Sequence, residues 1–391
     1  MTPIRILTCV LLTVAVCPAQ SRQHLQRLSA EKRIAAFTAR MRTETSNPSL
    51  MAGLAQAYVD RSRETADSSL VDRAGKLLDA ALKLAPGHYE SLQVQNAVDL
   101  MHHRFPTVAA RARELVVRQP KDAVNFAVLG DALMEMGQYD DAAEAYQQMV
   151  NLRPDLMSFN RIGWFRFVTG DMEGAIEMMG RAVKAGRPGE ESTAWCLTEL
   201  GNLYLKAGRV ADAGAVFQAA LQHFAGSHAA HAGLGKVAEA SGNQSAAVAA
   251  YRRAQSIVPM IEYAAALAAL HTKDEKPQQA REQWKLIDTI ATLERAYGQK
   301  ANRQLGLIYA DQNRNLPQAL EAVRADLEVR KDVYTWDAYA WVLFRMGRVT
   351  EAAEALRNAL KWNTPEPLFR EHAAAIREAL AAGTASAGIP R

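Results

Sequence analysis

Three histidines fall close together, His223, His228 and His231, and across a helix–turn–helix they could approach one metal ion. No fourth ligand stands at a metal-binding spacing beside them, so solvated or turn-packed imidazoles are the expectation. His102 and His103 are adjacent, and neighbours on a helix point apart. The sequence holds no phosphate loop, Gly-x-Ser-x-Gly elbow, His-Glu-x-x-His pair or dinucleotide fingerprint. Its carboxylates scatter along what read as solvated helix faces. The chain is therefore expected to be no enzyme and to need neither cofactor nor metal. Hydrolysis at a metal held by His228 and His231 is the enzymatic alternative. Of the three cysteines, Cys9 and Cys17 lie in an N-terminal apolar segment. If that segment is removed, Cys196 stands alone and packing must carry the stability. A net charge of +4, with no Lys/Arg run interleaved with aromatics, argues against nucleic acid as a partner.

With little chemistry to position, the question becomes what the helices build. The stretch from Ala123 to Pro154 reads as two amphipathic helices and a tight turn. Phe126, Leu129 and Leu133 recur on the first helix, and Ala142, Ala143, Tyr146 and Met149 on the second. Met136-Gly137-Gln138 supplies the stop between them. Asp140 and Asp141 place negative charge in the next first turn. Neither helix can bury its apolar side alone. The same unit recurs: Pro86, Pro120, Pro154 and Pro188 stand 34 residues apart (120 − 86, 154 − 120, 188 − 154), as do Gly201 and Gly235, Ala213 and Ala247, and Phe217 and Tyr251. A glycine inside a helix costs roughly 0.5–1 kcal/mol relative to alanine. Its recurrence at one helical position predicts a close helix crossing, where a Cβ would hold the backbones apart.

These residues resemble the tetratricopeptide repeat. Phe126, Leu129, Gly130, Ala142, Tyr146 and Pro154 match its pattern, as do Leu200, Gly201, Tyr204, Ala213, Phe217 and Ala220, and then Leu234, Gly235, Ala247, Tyr251, Ala254 and Pro259. The resemblance implies an all-α fold, a right-handed α-solenoid of antiparallel helix pairs. STAWCLTELGNLY and the order of the last repeats look like a group of exported bacterial members.

Along the chain, residues 1–19 look like a signal peptide, with Arg5 before an apolar run from Ile6 to Val16 that is too short to span a bilayer. An alternative is lipidation at Cys17, and another is an uncleaved anchor. The expected location is periplasmic or secreted, with membrane contact only through a lipid anchor. Residues 20–47 read as an N-terminal capping helix, carrying Leu28, Ile34, Phe37 and Met41 on one side; a membrane-surface helix is the alternative. An array of about nine repeats is expected over 48–364. In its first unit the polar run from Arg61 to Ser69 reads as a lengthened turn. A C-terminal capping helix is expected over 365–382, entered through Asn363-Thr364 with Pro365 in its first turn. Residues 383–391 read as a disordered tail.

The resemblance also implies a partner surface, because arrays of this family commonly bind protein or peptide along the inner groove lined by the first helix of each pair. Carried over position by position, that groove takes Asp131, Met134 and Glu135 in the third repeat, then Asn160, Trp164, Phe167, Trp195, Asn202, Lys206, Tyr334 and Trp341, with Asp337, Phe344 and Arg345 beside Trp341. Trp164, Phe167 and Trp195 are expected as an apolar floor, with Asn202 and Lys206 as polar contacts. The competing expectation is that the aromatics pack between helices. Thr198 stands where the chaperone-binding branch of the family has Lys, so its carboxylate clamp is not reproduced. The expected function is a non-catalytic scaffold for protein or peptide partners, without a small-molecule cofactor. The alternative is a structural part of an envelope or secretion assembly that acts through its ends or convex face.

Overall fold

The computed structural model describes residues 28–65, 67–296 and 302–387, with side chains up to 382. The signal-like segment, Cys9 and Cys17 lie outside the described residues. Within them there are 20 helices and no strand. Contacts divide the chain into two compact units, Met1–Arg63 with Asp67–Val94, and Glu64–Ala66 with Gln95–Arg391.

In the first unit, α1 (Ala30–Met41) starts at Ser29, whose hydroxyl accepts from the Lys32 amide. It packs on α2 (Pro48–Thr65): the Phe37 ring covers Gly53 so closely that a Cβ there would lie 2.6 Å from it. Arg33 pairs with Asp60 at 2.8 Å. The helix α3 (Ser69–Leu84) follows. The lengthened turn expected at Arg61 to Ser69 does not form. Arg61 to Thr65 continue α2 instead, because nothing in that polar run stops a helix.

The second unit takes in the latter part of α4 (Tyr89–Met101) and all that follows. Its helices alternate as first and second members of pairs: α5 (Phe105–Arg118), α6 (Ala123–Glu135), α7 (Tyr139–Leu152), α8 (Leu156–Val168), α9 (Met172–Ala185), α10 (Glu191–Lys206), α11 (Val210–His223), α12 (His228–Ala240) and α13 (Gln244–Ile257). Then come α14 (Ile261–Lys273), α15 (Pro277–Ala296), α16 (Arg303–Asp311), α17 (Leu316–Val329), α18 (Val333–Arg345), α19 (Val349–Ala359) and α20 (Pro367–Ala387). Several first helices open on side-chain caps: Asp122 for α6, Asp155 with Ser158 in a reciprocal capping box for α8, Ser227 for α12, and Asp332 for α18. The stop at Gly137 is left-handed, with φ 70°. There the Gln138 amide donates back to the Leu133 carbonyl, as a helix C-cap requires.

The recurrent helical glycine has a different cause from the expected backbone crossing. The ring of the second helix lies on it. Tyr146 covers Gly130, Phe217 covers Gly201, and Tyr251 covers Gly235, where a Cβ would meet the ring at 2.9 Å. Where an aliphatic side chain replaces the aromatic the backbones close in: at Gly163, opposite Met179, the Ala175 carbonyl is 3.2 Å and the Met179 amide 3.3 Å from such a Cβ, and at Gly306, beside Val323, the Ala319 carbonyl is 3.3 Å away. Alanines at fixed positions (Ala142, Ala175, Ala213, Ala247, Ala319, Ala352) are fully buried and let the pairs approach.

At the C-terminus, α20 begins at Pro367, two residues later than the spacing predicts. Thr364 does not cap it; its hydroxyl donates to the Val168 carbonyl at 2.5 Å. The helix continues to Ala387, so residues 383–387 are helical rather than a disordered tail.

Candidate partner-binding surface

The first helices position the expected groove residues, but they divide into separate environments. Phe167 is fully buried. The Lys206 ammonium sits 5.5 Å from the centre of its ring. Trp164, 36% exposed, tilts on Phe167 at 5.6 Å and stacks on Tyr334 at 5.8 Å. Tyr334 meets the buried Phe369 edge-on at 5.1 Å and donates its hydroxyl to Glu366 at 3.0 Å. Lys206 forms an ion pair with the same carboxylate. Trp164, Phe167, Lys206 and Tyr334 therefore form one cluster whose remaining members, Glu366 and Phe369, come from the entry to α20. Trp341 lies apart, stacked on His372 at 4.0 Å and donating to Asp311 at 2.8 Å. His372 bonds Asp337 at 2.9 Å, and both are buried. Asn160 contributes only a long contact to the Cys196 sulfur, at 3.9 Å. Burial pushes that thiol up to about 12, so it stays protonated and is no nucleophile. Trp195 is 44% exposed.

The cluster belongs to a seam that neither repeat spacing nor composition announces. The turns that end α6 and α8 meet the chain junctions before α18 and α20. The Lys331 amide donates to the Glu135 carbonyl at 2.9 Å, and Arg330 pairs with Glu135 at 2.7 Å. The Val333 amide donates to the Tyr139 hydroxyl at 3.0 Å, and Tyr139 meets Trp362 edge-on at 5.2 Å. Gly137 lies against the Lys331 carbonyl and Gly170 against the Trp362 carbonyl, each leaving no room for a Cβ without a shift. The bonds at Val333 and Thr364 span 194 and 196 residues. A constant offset of a little under six repeat lengths means that the second unit curls through one turn and touches itself. No signal within single repeats carries this. It depends on the summed rotation from repeat to repeat.

The curl gathers charge on its inner side. Lys236 on α12, at the repeat position of Asn202, shares a field with Glu199, Lys206, Glu262 and Glu366. Lys236 is exposed, yet the surrounding walls displace enough water to hold its ammonium below the usual lysine range. Loss of water likewise raises the carboxyls of Glu199 and Glu262. Asn202 donates to Glu199 at 3.3 Å. One oxygen of Glu262 is buried without a hydrogen-bond partner among the described residues. Lys236 could have been named from the sequence by stepping 34 residues from Asn202; Glu366, outside the repeats, could not. The histidines separate: His228 bonds the Tyr263 hydroxyl at 2.6 Å, and His223 accepts from the Gly189 amide at 3.3 Å. Among the described residues no group of three His, Cys, Asp or Glu side chains is arranged to hold a metal.

Buried glycine–ring pairs, small residues at fixed positions and curvature define a class, an α-helical solenoid of repeated hairpins. Residues 128–190 and 198–259 match the family model described as tetratricopeptide repeat, so the chain carries repeats of that family. Among solved structures, the human IFIT1 dimer with m7Gppp-AAAA is similar with a TM-score of 0.55 at 13% identity, over 88% of this chain and 78% of that one. PilW, a type IV pilus biogenesis factor, aligns at 15% identity and TM-score 0.45, over 52% of this chain and 99% of its own. TTC0263, a protein of the same repeat family from Thermus thermophilus, aligns at 19% identity and TM-score 0.41, over 48% and 98%. No curated protein matches the sequence.

Proposed function

We propose that this chain is a non-catalytic scaffold that takes an extended protein or peptide segment on the inner face of its fifth to seventh helix pairs, α10 to α15. Tetratricopeptide repeats imply protein–protein interaction, and the finer reading rests on Lys236. It is a solvent-exposed lysine on the inner side, it forms no ion pair among the described residues, and the incompletely satisfied carboxylate of Glu262 lies in its field. An extended peptide presents alternating N–H and C=O groups. Lys236 and Asn202 would donate to it, Glu199 and Glu262 would accept, and the exposed ring of Trp195 would supply apolar contact. With Glu366 counted, the three carboxylates around Lys236 outnumber the two lysines, which favours protein over a polyphosphate backbone. Part of the expected floor is unavailable, because Phe167 is wall and Trp164 stacks on Tyr334. The sequence of residues 1–19 supports an exported, periplasmic or secreted location; no helix among the described residues is long and apolar enough to cross a membrane.

The test is affinity capture from native extract with the parent chain, Lys236→Glu, Trp195→Ala, and Arg181→Ala on an outer helix as control. The first two variants should lose the partner that the parent and control retain. Identical capture by all four would overturn the reading.

A further inference from the structure

We propose that the seam is a latch: the junctions at 330–333 and 362–366 release the turns after α6 and α8 while both sides stay folded, uncovering Trp164 beside Lys206 as a second partner surface. This extends the scaffold reading, but the latch itself does not depend on it. Neighbouring repeats meet along whole helices, through buried rings and alanines. The two edges of the seam meet through turns. Their bonds are the Lys331 amide on Glu135, the Val333 amide on Tyr139, the Thr364 hydroxyl on Val168, and the ion pairs Arg330–Glu135 and Lys206–Glu366. Water replaces bonds of these kinds at small net cost.

Packing beneath the seam is also incomplete. A cavity of about 260 Å³ lies there, lined by Phe105, Met134, Glu135, Tyr146, Trp164 and Arg330 among others. Trp164 is the exposed aromatic at its rim. What keeps the closed form the ground state is apolar: Tyr139 on Trp362, and Trp164 on Tyr334. Once parted, these rings leave Tyr139 and Trp164 with Lys206 on one edge and Tyr334 and Trp362 with Glu366 on the other, and the first edge fits a partner segment pairing an acidic residue with an aromatic one. In the closed form the chain's own Glu366 and Tyr334 show that pairing in place, the carboxylate on Lys206 and the ring on Trp164. Release would have to separate Lys206 from Glu366, so the charge at residue 206 should govern it from a distance.

Native-state hydrogen exchange on the full chain tests this without any partner. Lys206→Glu should speed exchange of the Lys331 and Val333 amides at least tenfold and leave amides within α12 and α13 unchanged. The charge swap Lys206→Glu with Glu366→Lys should restore the parent rates. Raising salt on the unsubstituted chain should act in the same direction as Lys206→Glu. If Lys206→Glu leaves the two seam amides unchanged, or speeds all amides alike, the seam opens only with global unfolding and the latch is wrong. The scaffold reading on α10 to α15 would survive that result.

Discussion

At the scale of single residues, burial separates side chains that the repeat pattern treats alike. Phe167 and Trp195 both carry the expected inner-face positions, yet one is enclosed and the other exposed. Phe167→Ala should therefore cost about 3–5 kcal/mol in urea unfolding, as large-to-small changes in a core do. Trp195→Ala should stay within about 0.5 kcal/mol of the parent. Equal losses for the two would contradict the assignment of Phe167 to the wall. Glu262 offers a test in pH. Loss of water raises its carboxyl, so between the unfolded and folded values the native state holds more protons than the unfolded one. Its contribution is then most favourable at low pH and declines as pH rises through the folded value. Glu262→Gln removes that titration. The variant should melt higher than the parent at pH 7.5, and the gain should shrink as pH approaches 4. A gain independent of pH would show that the carboxyl is not perturbed.

At the scale of elements, equivalent turns do unequal work. Gly137 and Gly208 both follow a first helix, with φ 70° and 75°. A side chain at either position meets the left-handed penalty of roughly 1–2 kcal/mol. Gly208 otherwise has open space, whereas at Gly137 a Cβ would collide with the Lys331 carbonyl. Gly137→Ala should thus lower the urea midpoint clearly more than Gly208→Ala; matched losses would mean that the seam yields freely. The last helix likewise does more than cover the ninth pair. It brings Phe369 and Ile376, both buried, and His372 for the buried Asp337. Its entry also supplies Glu366 to a lysine 160 residues earlier.

At the scale of the whole second unit, the curl changes how stability should spread. In an open row of repeats a perturbation decays with each interface it crosses. Here the ninth pair also touches the third and fourth. Trp362→Ala removes the ring on Tyr139, so it should lower exchange protection in α6 and α7 while leaving α12 and α13 near the parent values. Loss confined to α18 to α20 would show that the seam transmits nothing.

The all-α fold and the 34-residue period follow from the sequence, because they depend on local spacing that each hairpin states for itself, whereas the rings seated on the recurrent glycines, in place of the expected backbone crossing, emerged only from the packed pairs. The caps at Asp122, Asp155 and Asp332 are equally local, a short polar side chain beside its own amides. Position within a repeat also pointed toward the inner face that holds Asn202 and Lys206. Tertiary structure alone decided which of those positions stay open. Trp164 and Tyr334 meet because small rotations between successive pairs add up over 170 residues (334 − 164), and no single repeat encodes that sum.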